Sequence, residues 1–104
     1  MLMVGRSKVA ASIYLIHFSE PLVRGGRAAQ HYMGSTILPV EERMKRHANG
    51  DGAKLMRLVK EAGIAWSVAR TWDTTKEERY RFERQMKKGH NYKRLCPTCR
   101  ENVP

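Results

Sequence analysis

The run that most constrains how this chain can fold is residues 12–18 (Ser-Ile-Tyr-Leu-Ile-His-Phe), rich in β-branched and aromatic side chains. It reads as a strand, and residues 28–35 as the partner placed to return antiparallel to it. Pro21 and Gly25-Gly26 fall between them. The connection from Ser19 to Arg27 therefore reads as longer than a tight turn, and Arg24 and Arg27 make it basic and able to reach a backbone phosphate.

Helical signals follow the strand pair. A first helix starts at Pro39, whose fixed φ suits a first turn, with Glu41 and Glu42 well placed against the helix dipole, and it stops near Asn49-Gly50. A second runs from Ala53 to Ala62, with Leu55, Leu58, Val59 and Ala62 as its core stripe and Gly63 as its stop. Residues 65–72 alternate, placing Trp66, Val68, Arg70 and Trp72 on one side of a third strand. A third helix spans about Thr75 to Lys88, and beyond Gly89 the chain is turn-like and basic, ending in Cys96-Pro97-Thr98-Cys99. The order β-β-α-α-β-α describes an α+β sandwich of a small sheet against helices. At 104 residues this is one domain, divided as an N-terminal extension (1–11), a folded unit (12–91) and a basic tail (92–104).

Charge narrows the choice of partner. Twenty Lys and Arg against ten Asp and Glu leave a formal +10, which points to a polyanion and first of all to nucleic acid. The apolar run from Val9 to Ile16 is broken by Ser12 and is far shorter than the ~20 residues a bilayer requires, so no membrane partner is expected. No small-residue cleavage site follows it. Two cysteines in one tight pair are not the framework of a secreted disulfide scaffold, and the expectation is a cytoplasmic, reducing compartment.

Several residues have the chemistry to build a site. Glu83 is the single acid among eight Lys or Arg between Arg79 and Arg100, where a carboxylate can hold a hard divalent cation near a phosphate drawn in by its neighbours; a plain Glu83–Lys87 helix pair is the alternative. Arg43 and His47 stand one helical turn apart and can grip one phosphate, or His47 can simply close its helix. Tyr14 and Tyr32 fall in neighbouring strands, where two phenols can face one side. Phosphate-contacting cations are expected at Arg24, Arg27 and Arg70, along the third helix at Arg84, Lys87 and Lys88, and in the tail at Lys93 and Arg94. For Cys96 and Cys99 three readings are open: a reduced pair, a zinc site with His90 as third ligand, or a site shared in a dimer.

The order of these pieces resembles the GIY-YIG nuclease family from Ile13 to about Asn91. The Tyr14 segment stands for the first motif and Tyr32-Met33-Gly34 for the second. Arg43 matches the helix arginine, His47 the histidine or tyrosine one turn later, and Glu83 the distant glutamate, with Asn91 near a late asparagine of some members. Ser12 replaces the glycine of the first motif, Met33 the isoleucine of the second, and Ser35 stands where some relatives place a lysine. The resemblance implies a three-stranded antiparallel sheet flanked by helices and one Mg2+ or Mn2+ on Glu83. It further implies hydrolysis of phosphodiester bonds, in DNA or RNA, with Tyr14, Tyr32, Arg43, His47 and Glu83 as catalytic residues. Having no separate recognition domain, such a nuclease would be sequence-tolerant or structure-selective. Two other readings suit the same sequence: a nucleic-acid-binding module without catalysis, and a zinc-stabilised adaptor for a protein partner.

Overall fold

A computed structural model describes residues 9–89 and 92–101. Strand β1 (Ala10–Arg24) is central, flanked by β2 (Arg27–Thr36) and β3 (Trp66–Thr75) in the order β2-β1-β3, with both pairings antiparallel. Helices α1 (Val40–Ala48) and α2 (Lys54–Glu61) separate β2 from β3; α3 (Arg79–Lys88), α4 (Tyr92–Leu95) and α5 (Pro97–Glu101) follow β3. The α+β class and element order expected from sequence are those observed.

The sheet is covered on both faces. Because successive side chains of a strand point to opposite sides, Tyr14, Ile16 and Phe18 meet Met44, Met56 and Val59 of α1 and α2. Ile13 and Leu15 instead join Met33 and pack against Phe82, Met86, Leu95 and Cys96. The segment expected as a tail thus contributes a fully buried side chain, Cys96, to the second layer.

Four local expectations are revised. The strands do not end at Phe18 and resume at Ala28: they continue to Arg24 and Arg27 and close on Gly25-Gly26. Both glycines have positive φ (54° and 79°), the backbone of a two-residue hairpin turn whose twist matches that of the strands. The extra residues around Pro21 are absorbed by an irregularity between His17 and Leu22 rather than by a loop. The hairpin consequently projects as an arm, and the 15-residue β1, about 50 Å at ~3.3 Å per residue, accounts for the 51 Å long axis of the molecule.

The third strand does not keep one alternation. Leu15 pairs with Arg70 but Ile16 pairs with Val68, so the bulge at Ala69 inverts the faces: Trp66 and Val68 join the first core, Trp72 the second. The strand also runs on to Thr75, and α3 starts only at Arg79. In α2 the buried positions are Met56 and Val59, with Leu55 and Leu58 at the margin and Ala62 exposed. Met56→Ala should therefore lower stability by ~2–4 kcal/mol, whereas Ala62→Ser should stay within about 0.5 kcal/mol; urea denaturation midpoints of the two variants test this ranking.

Candidate active site

The strand register places the tyrosines diagonally. Tyr14 is paired with Gly34 and Tyr32 with Ile16, so the two phenols share a face offset by two residues, their ring centroids 6.2 Å apart. Gly34 makes this arrangement possible. A Cβ at position 34 would stand 2.5 Å from Tyr14 Oη and 3.0 Å from Tyr32 Cε2, so the glycine leaves the space into which both rings lean. Gly34→Ala should displace the Tyr14 ring and cost ~1–3 kcal/mol as an overpacking substitution, to be read from the urea midpoint.

Helix α1 supplies the next two groups from one turn. His47 is fully buried, its Nε2 2.8 Å from Tyr14 Oη, and Arg43 Nε donates to the same oxygen at 3.4 Å. The imidazole also sits 5.7 Å from the Tyr32 ring, edge to face. His47 therefore does more than close its helix. Behind it, Gly52 at φ +114° brings its backbone close enough that a Cβ would lie 3.2 Å from Arg43 Nη2 and 3.3 Å from His47 Cε1. His47 Nδ1 is buried without a hydrogen-bond partner. A buried lone pair is tolerated better than a buried N–H, so the ring proton is assigned to Nε2, where it donates to Tyr14 Oη. The phenol oxygen is then addressed by two donors.

Glu83 arrives from α3. Phe82 and Met86 anchor that helix in the second core, while Glu83 and Lys87, one turn apart, form an ion pair of 2.6 Å. Lys87 Nζ lies 6.0 Å from the Tyr32 ring centre, and the Glu83 charge raises the pKa of both tyrosines. The sequence-predicted Tyr14, Tyr32, Arg43, His47 and Glu83 are thus brought into one neighbourhood. Burial pushes the Tyr14 hydroxyl up to about 12, the Arg43 hydrogen bond partly opposing it, with Tyr32 and Glu83 adding to the rise. Tyr32 is raised chiefly by burial, then by Glu83. His47 is lowered to about 4 by burial and by the Arg43 charge. Phenol and imidazole are both neutral at pH 7.

The expected nucleic-acid cations are dispersed. Arg24 and Arg27 pair across the hairpin tip, about 30 Å along the strands from Tyr14 at ~3.3 Å per residue. Arg70 is engaged internally, donating to the Leu95 carbonyl at 3.4 Å and stacking on Trp72. Arg84, Lys88, Lys93 and Arg94 are exposed, and Lys87 is tied to Glu83. His90 and Asn91 lie outside the described residues. Cys96 and Cys99 meet two side chains that sequence reasoning missed, His17 and His31, directly opposed in the β1–β2 register.

The GIY-YIG catalytic domain matches residues 10–95, most of the chain, and the protein belongs to that family of endonucleases. Membership carries nuclease-type activity, a nucleic acid as substrate, and the general use of a divalent metal. No curated protein and no solved structure matches the chain significantly. No helix among the described residues is long and apolar enough to cross a membrane.

The His47 environment makes acid stability a test of the site. Unfolded, the imidazole takes up a proton near its ordinary pKa of ~6.5; folded, it resists until about pH 4. The unfolded chain binds more protons between these values, so the stability due to neutral His47 is complete above pH 6.5 and is lost as pH falls from 6.5 to 4. His47→Gln, which cannot titrate, should lose fewer degrees of melting temperature between pH 7 and pH 4.5 than wild type.

Proposed function

We propose that this protein is a divalent-metal-dependent endonuclease that hydrolyses phosphodiester bonds in DNA, without base-specific recognition, using Tyr14, Tyr32, Arg43, His47 and Glu83. What supports the reading is the convergence of two phenols, a guanidinium and an imidazole within one hydrogen-bonded cluster that the Glu83 charge also reaches. The donor chemistry suits a hard cation: Mg2+ and Mn2+ sites at phosphates take one or two carboxylates and leave the remaining positions to substrate and water. Glu83, partly exposed beside the tyrosines, is that carboxylate. When bound, the cation supplies Lewis-acid stabilisation of charge on the phosphate and the leaving oxygen.

The remaining steps belong to the protein. Tyr14 Oη, as phenolate, takes the proton of the attacking water, and the donors from Arg43 Nε and His47 Nε2 stabilise negative charge on that oxygen. His47 serves as a neutral donor, because its burial beside Arg43 opposes an imidazolium. The free Arg43 guanidinium nitrogens are available to the phosphate oxygens, a fork suited to them. Tyr32, on the same face, orients the water. Lys87, one turn from Glu83, would be free to meet the substrate backbone where Glu83 held a cation. Arg84, Lys88, Lys93 and Arg94 supply further sequence-independent phosphate contacts, and Arg24 and Arg27 at the arm tip reach a more distant turn of the duplex. The protein works as an intracellular, non-membrane enzyme in DNA repair or recombination.

The Glu83–Lys87 ion pair favours one second reading, a binding module that keeps the fold without cutting, because it occupies the carboxylate a cation needs. Labelled duplex, nicked and branched DNA incubated with Mg2+, Mn2+ or EDTA separate the two. Cleavage should require metal, and Tyr14→Phe or Glu83→Gln should reduce it by a factor of ~100 or more while binding persists. Since Tyr14 must lose a proton held up to about 12, the wild-type rate should climb about tenfold per pH unit from pH 7 to 9. Binding without cutting on every substrate establishes the module instead.

A further inference from the structure

On the opposite face of the sheet, β1 and β2 present His17 and His31 as a directly opposed pair, and Cys96, between α4 and α5, and Cys99, in α5, come over them. One ligand atom from each residue falls in a cluster in which all four lie within 4.8 Å of one another. His17 Nδ1 and His31 Nε2 are 3.4 Å apart; Cys99 Sγ is 3.5 Å from the first and 3.2 Å from the second; Cys96 Sγ is 3.5 Å from His17 Nδ1. A tetrahedral zinc with Zn–S of ~2.3 Å and Zn–N of ~2.05 Å has edges of ~3.4 Å between nitrogens and ~3.6 Å between nitrogen and sulfur. These four separations are those edges to within a few tenths of an ångström, and the other two pairs, Cys96 with Cys99 and with His31, lie within 4.8 Å. Both cysteines are free thiols, Cys96 fully buried, His31 nearly so.

We propose that His17, His31, Cys96 and Cys99 form a structural Cys2His2 zinc site that clamps the C-terminal segment to the sheet. The set replaces the one expected from sequence, in which His90 accompanied the two cysteines. Binding releases two thiol protons to solvent and leaves Zn2+, two thiolates and two neutral imidazoles with no net charge, which suits a half-buried position. The mechanical consequence follows from length. Helices α4 and α5 have four and five residues, far below the ~12 at which an isolated helix becomes even marginal in water. Zinc ties them to two strands at once. It also fixes Lys93 and Arg94, exposed on α4, relative to the sheet. The site is independent of the cation on Glu83: His17 and His31 alternate along their strands with Ile16 and Tyr32, whose side chains lie on the first face.

Elemental analysis of the full chain, purified without chelator and after reconstitution with zinc alone, tests this. About one zinc per chain is expected, retained in Glu83→Gln and in His90→Ala, and lost in His17→Asn and Cys99→Ser. Replacing zinc by cobalt should give the intense visible bands of a tetrahedral S2N2 centre, a readout independent of whether each variant folds well. Chelation should lower the melting temperature and raise amide hydrogen exchange in residues 92–101 ahead of the rest of the sheet. Less than a tenth of an equivalent after reconstitution, a Cys96–Cys99 disulfide in the freshly purified chain, or zinc that survives His17→Asn would each overturn the proposal.

Discussion

The phenol oxygen of Tyr14 is where the separate parts of this fold meet. Tyr14 has no exposed surface and lies on the central strand, so its hydroxyl can be satisfied only by groups that other elements carry to it. Helix α1 brings His47 and Arg43, α3 brings the charge of Glu83, and β2 contributes the empty volume above Gly34. Each of these elements is positioned by apolar packing elsewhere: α1 through Met44 in the first core, α3 through Phe82 and Met86 in the second. A buried hydroxyl without partners would cost roughly 1–3 kcal/mol. The hydrogen bonds from His47 and Arg43 offset that cost, and the proposed mechanism draws on the same two donors to stabilise a phenolate.

The opposing tendency is desolvation. It keeps phenol and imidazole neutral at rest, which suits a folded protein but leaves no base at pH 7. On the proposed mechanism the phenol must still give up its proton, which burial holds first and the charge of Glu83, itself paired with Lys87, holds least.

Much of this was legible in the sequence where one residue type implies one geometry. Pro39 and the acidic first turn marked α1; Arg43 and His47 at helical spacing had to share a face; Tyr32-Met33-Gly34 carried its own reason in the glycine. The register was not legible. Counting back from Gly25-Gly26 in a regular hairpin would set His17 opposite residue 34, since Arg24 pairs with Arg27, and only the irregularity between His17 and Leu22 moves it opposite His31. The bulge at Ala69 hid the face switch of β3 in the same way. Bulges depend on how a strand twists against its neighbours, which no run of residues states locally.

The irregularity between His17 and Leu22 is also what lets the β1–β2 pair present a polar cluster on each face. Proline 21 cannot donate to a ladder, and the strain of accommodating it falls beyond His17, leaving the pairs from Ser12 to His17 regular. Within that regular stretch the strand pleat does the sorting: Tyr14 faces the α1 side, His17 the α4–α5 side. A one-residue slip of β2 would exchange the faces of Tyr32 and His31 and destroy both constellations together. Register is therefore under a double constraint here, apolar through Met33 and polar through its neighbours Tyr32 and His31.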